Sequence, residues 1–127
     1  MHQAMAYRLT IERGESFVHT TFYGDLVASA GEQIIAQSAK RAEEWGFRKF
    51  FVDLRNAQHR ISTTDDYDIA YRKAGILGFK PGSRHVLLIS PDGDLTGWRF
   101  VETVFRNAGY CVQLFTDEKR ALAEIKR

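Results

Sequence analysis

Apolar Tyr7, Leu9 and Ile11 alternate with Arg8, Thr10 and Glu12, a period of two that predicts a half-buried strand. Arg13-Gly14-Glu15 reads as a turn and Ser16 to Tyr23 as a second strand, an opening hairpin closed by Gly24 and Asp25. The period then lengthens. Leu26, Ala30, Ile34, Ala39, Ala42 and Trp45 recur at helical spacing, with Glu32, Gln33, Gln37, Lys40, Arg41 and Glu44 facing away. Ser29 with Glu32 fits a capping box, Asp25 suits an earlier start, and Gly46 sits where a left-handed residue ends a helix. Phe47 to Leu54 is apolar almost throughout, as a strand covered on both faces requires.

A second helix is predicted from about Thr63 to Leu77, with Thr63 and Asp66 as its capping box and Ile69, Ala70, Ala74 and Leu77 as a modest buried stripe. His85 to Ser90 reads as the fourth strand and Pro91 to Asp94 as a turn. The third helix presents Trp98, Val101, Val104, Phe105 and Ala108 and stops at Gly109. Tyr110 to Phe115 is the fifth strand, and Thr116 or Asp117 caps a last helix carrying Ala121, Leu122 and Ile125. The order ββαβαβαβα implies right-handed crossovers. The expected fold is therefore a single α/β domain over 7–127: a mainly parallel five-stranded sheet, an opening hairpin and helices on both faces. Residues 1–6 read as a flexible tail.

Composition narrows the function. The chain has 127 residues, 44% apolar and 27% charged, the balance of an ordinary globular domain. Eighteen basic residues against sixteen acidic ones form no basic stripe, so nucleic acid is not an expected partner. The one cysteine, Cys111, excludes an intrachain disulfide and a multi-cysteine zinc site, and its apolar neighbours suggest a small buried hydrophobe. His2, His19, His59 and His85 lack metal-ligand spacing, so neither a metal nor a cofactor is expected. No leader pattern and no run of about 18 apolar residues is present, which points to a cytoplasmic protein without stable membrane insertion.

The informative stretch runs from Lys49 to Asp66. An apolar strand ends in Asp53-Leu54, and a polar segment then leads to three hydroxyls at a helix start, where open α/β sheets place binding groups. Ser62, Thr63 and Thr64 read as cap and turn residues, or as sites of partner binding or phosphorylation. Arg55, Asn56, His59 and Arg60, with Asp25 nearby, read as a solvated connection or as a rim that binds an anion or an acidic partner. Trp98 and Phe100 are candidates for an apolar pocket, with Phe100 off the main helix face. No nucleophile elbow, Walker loop or dinucleotide fingerprint is present, so an enzyme is not expected.

Phe22-Tyr23-Gly24-Asp25-Leu26 before the first helix, Phe51-Val52-Asp53-Leu54 in the central strand and the closing Phe115-Thr116-Asp117-Glu118-Lys119-Arg120-Ala121-Leu122 resemble the STAS domain of anti-sigma-factor antagonists and the short bacterial SpoIIAA-like proteins, also linked to Sec14-type domains. The resemblance implies a non-enzymatic regulatory module that docks a protein partner, with a serine or threonine at the second helix as a phosphorylation switch. Ser62, Thr63 and Thr64 are the matching residues. The antagonist pattern has an Asp-Ser or Asp-Thr pair followed by glycine, whereas this chain reads Arg60-Ile61-Ser62-Thr63-Thr64-Asp65-Asp66. The alternative is a carrier or sensor of a lipid or other small apolar ligand. A homodimer is compatible with either.

Overall fold

The computed structural model describes residues 7–127, so the tail expected over 1–6 lies outside the described residues. The strands are β1 (Tyr7–Arg13), β2 (Val18–Leu26), β3 (Lys49–His59), β4 (Arg84–Leu88) and β5 (Cys111–Phe115). The helices are α1 (Ala28–Trp45), α2 (Thr63–Asp68), which continues into a π-helical turn over Ile69–Lys73, α3 (Leu95–Asn107) and α4 (Glu118–Lys126). One sheet holds the strands in chain order; β1 runs antiparallel to β2 and every other pairing is parallel.

That sequential order decides where the helices lie. Each right-handed crossover between neighbouring parallel strands returns over the same face. Ala30, Ile34 and Ile35 of α1, Ile69 beyond α2 and Trp98 of α3 accordingly share one core with Val18, Phe22 and Val52. Among the described residues α4 alone covers the other face, where Ala121 and Ile125 meet Phe17, Phe51, Val86 and Leu88. Phe22 and Phe51, on neighbouring strands but opposite faces, are both fully enclosed.

Several boundaries differ from the sequence pattern, for local reasons. Gly24 and Asp25 do not close β2; they pair with Ala57 and Gln58 of a β3 that runs five residues beyond Leu54. Helix α1 has neither Ser29 nor Asp25 as its cap: Val27 holds that position without a side-chain bond, and Asp25 is turned toward Arg60. Gly46 does adopt the left-handed conformation at the helix end, with φ 75°. Cys111 is exposed, because alternation along edge strand β5 sends Val112 and Leu114 toward α3 and leaves Cys111 on the sparsely covered side.

Candidate functional site at the junction of β3 and α2

β4 pairs with β3 only from Lys49 to Asp53, so the last six residues of β3 extend past it with β2 as their sheet neighbour. A register shift between Thr21 and Tyr23 gives β3 one extra residue there. The polar segment expected as a loop over Arg55 to Arg60 is therefore strand as far as His59. The shift breaks the period of two, which is why alternation did not reveal it.

The arginines of this rim are engaged within the chain. Arg55 forks onto its neighbour Asp53, with Nη2 to Oδ2 at 2.7 Å and Nε to Oδ1 at 3.0 Å, and reaches Glu118 at 3.3 Å. Burial pushes the Asp53 carboxyl up, but the Arg55 hydrogen bonds and charge hold it below the usual carboxylate range. Arg60 contacts Asp25 at 3.4 Å and Gln58 at 3.1 Å. Asn56 is exposed beside them. The Arg60 contacts are surface pairs of little energetic weight, about 0–1 kcal/mol each, so a stronger competitor can displace them.

Ser62, not Thr63, caps α2. Its backbone is extended, and its Oγ accepts the Asp65 N–H at 3.1 Å, while Thr63 is already the first helical residue. Thr63 and Thr64 stay exposed. Asp66, expected as the return arm of a capping box, turns inward instead. It is 2% exposed, and its Oδ2 lies 2.9 Å from His59 Nε2. Burial pushes the Asp66 carboxyl up, and the His59 contact opposes that rise. The His59 ring, with 7% of its side chain exposed, meets the Trp98 indole edge-on at 5.1 Å. Its Nδ1 faces Gly97, where an added Cβ would stand 2.8 Å away and would also collide with Asp94. Thus His59, placed on the rim by sequence, belongs to the interior.

His59 and Asp66 border a cavity of about 100 Å³ beneath α1, α2 and α3, otherwise lined by side chains such as Ile34, Leu54, Ile69, Trp98 and Phe105. Trp98 lines it; Phe100, half-buried on α3, does not. At its far end His85 is fully enclosed, stacked on Phe50 at 4.7 Å and 2.6 Å from Ser83 Oγ. Burial lowers the His85 imidazole to about 3, so it is neutral at physiological pH.

Sequence reasoning passed over the outer face of α2. Tyr67 and Tyr71, one turn apart, pack at 4.4 Å between ring centroids, yet are 55% and 44% exposed. Two tyrosines at i and i+4 were the available signal. Among the described residues no group of three or more His, Cys, Asp or Glu is arranged to hold a metal, and no helix is long and apolar enough to cross a membrane.

No protein-family model matches the chain, and no curated protein matches it in sequence. Solved structures do. An anti-sigma factor antagonist from Mycobacterium paratuberculosis superposes with a TM-score of 0.63 at 12% identity, covering 96% of each chain. An uncharacterized protein with a SpoIIAA-like fold from Shewanella loihica gives 0.54 at 17% identity over 98% of each. The phosphorylated form of the Bacillus cell fate determinant SpoIIAA gives 0.50 at 16% identity, over 93% of this chain and 99% of that one. The fold is SpoIIAA-like. At these identities the likeness is one of architecture, and it spans the SpoIIAA-like fold from end to end.

Proposed function

We propose that this chain is a non-enzymatic regulatory module that docks a partner protein through the surface where β3 passes into α2. The observation that carries the proposal is the exposed Tyr67–Tyr71 pair one turn beyond the exposed hydroxyls of Thr63 and Thr64. Tyrosine is enriched at interface centres, where it supplies large contact area for few rotatable bonds. Here the pair is bordered by Asp65, Asp68 and Arg72, a polar rim around an apolar centre. The SpoIIAA-like fold supports the same reading, since solved structures that share it include anti-sigma factor antagonists.

Phosphorylation suits this surface as a switch. A phosphate on Thr63 or Thr64 adds about −1.5 to −2 charges beside Asp65 and changes the surface the partner meets. On Ser62 it replaces the hydroxyl that caps α2. Carriage of a lipid gains little support from a cavity of about 100 Å³, because small-molecule sites run to about 300–1,000 Å³. The test is recovery of a partner on the tagged chain from its native cells. A partner retained by the wild type and lost from Tyr67→Ala/Tyr71→Ala, at unchanged thermal stability, supports docking there; equal retention refutes it.

A further inference from the structure

We propose that the outer edge of β1 is a dimerisation surface, on which a second copy of the chain continues the sheet by antiparallel β1–β1 pairing centred on Thr10. This edge is separate from the docking surface on the outside of α2.

The sheet has β1 at one edge and β5 at the other, and the two edges differ. In β5 the Cys111 N–H donates to Ser83 O and the Phe115 carbonyl accepts the Ile89 N–H, so the Leu114 N–H points away from β4. Glu102 Oε2 accepts it at 3.1 Å and closes that edge. β1 has no such cover. Gly14 N–H donates to Phe17 O at 2.9 Å, continuing the β1–β2 register, so the even-numbered residues of β1 bond to β2. The N–H and C=O groups of Tyr7, Leu9, Ile11 and Arg13 therefore face outward, and among the described residues they have no hydrogen-bond partner. The strand contains no proline and its register with β2 is unbroken, so two usual devices that spoil an edge for pairing are missing.

A twofold axis sets outward-facing groups against outward-facing groups, so odd residues of one copy meet odd residues of the other. Pairing the whole strand then places Tyr7 opposite Arg13, Leu9 opposite Ile11, Thr10 opposite Thr10 and Arg8 opposite Glu12. Charge selects this register. Arg8 and Glu12 are exposed, and among the described residues neither is in an ion pair; Arg8 lies over the Tyr23 ring at 4.9 Å. In the dimer each meets the opposite charge, once on either side of the axis. The next register in either direction sets Thr10 opposite Glu12 or opposite Arg8, and loses both ion pairs.

The other face of the strand fits the same partner. Leu9 and Ile11 are half-buried at the floor of a groove beside α1, rimmed by Gln37, Lys40, Arg41 and Glu44. The second copy lays its own Ile11 and Leu9 beside them, which makes an apolar centre within a polar rim.

Sedimentation of the full chain over a concentration series reaching about 1 mM reads the association. The wild type should pass from monomer to dimer along the series. Arg8→Glu and Glu12→Arg each turn two attractions into two repulsions, so either alone should weaken the dimer about thirtyfold. Mixed in equal amounts, the two variants should form a heterodimer of about wild-type affinity, because every facing pair is again one acid and one base. Recovery on mixing also shows that both variants are folded. A wild type that stays monomeric throughout, a dimer indifferent to either reversal, or no association on mixing would each overturn the proposal.

Discussion

His59 Nε2 and Asp66 Oδ2 are 2.9 Å apart, and both side chains are almost entirely enclosed. The contact ties the end of β3 to the first turn of α2, and His59 carries it on to Trp98 of α3. Removing one partner of such a pair strands the other without compensation, a loss of about 3–5 kcal/mol. His59→Ala and Asp66→Ala should each show it in urea melts. The double variant should cost less than the sum by about 1–3 kcal/mol, the coupling that a double-mutant cycle reads; strict additivity would show that the contact contributes nothing.

Ser62→Ala should destabilise the chain by about 1 kcal/mol, because Ser62 is the residue whose oxygen holds the Asp65 N–H. Thr63→Ala should change stability by less than about 0.5 kcal/mol, as an exposed residue without that bond. Chemical denaturation of both variants separates the two. The opposite ranking would restore Thr63 as the cap.

Much of the fold was legible because its signals are local. Phe50 to Val52 and Val86 to Ile89 are apolar on both faces, and that is what α1–α3 on one side and α4 on the other demand. The end of β3 was not legible, since Arg55, Asn56 and Gln58 lie beyond β4 and a register shift disturbs their alternation. Asp66 was misread for a different reason. A carboxylate three residues past a threonine matches a capping box locally, and only the fold brings His59 to it. Cys111 failed because strand position, not residue type, sets exposure at a sheet edge.

Thr20 offers a prediction in the stabilising direction. It is fully buried in β2 between Val18 and Phe22, and its Oγ1 has no hydrogen-bond partner among the described residues. Thr20→Val keeps the branched shape and removes the unpaired hydroxyl, so it should raise stability by about 1 kcal/mol. Calorimetry should show a higher Tm; a lower one would mean that the hydroxyl is bonded in solution.

His85 makes stability depend on pH in a defined window. Its folded value is lowered by burial from 6.5 to about 3. Below pH 6.5 the unfolded chain binds a proton that the folded chain refuses until about pH 3. The stability this group contributes is therefore complete above 6.5 and falls as the pH drops through that interval, by up to about 1.4 kcal/mol per pH unit. His85→Phe should remove one proton from the acid-side dependence, measured as the difference between wild-type and variant denaturation from pH 7 to pH 4. Identical slopes would mean that His85 is protonated in the fold.

The measurement closest to the central claim is photocrosslinking in native cells from a probe at position 67, compared with the same probe at position 10. Tyr67 is on the outer face of α2, whereas Thr10 is exposed on β1, away from that helix. The account predicts a discrete crosslinked protein from position 67 and, from position 10, none but a second copy of the chain. A different protein captured from position 10 alone would contradict it, placing the docking surface on the hairpin.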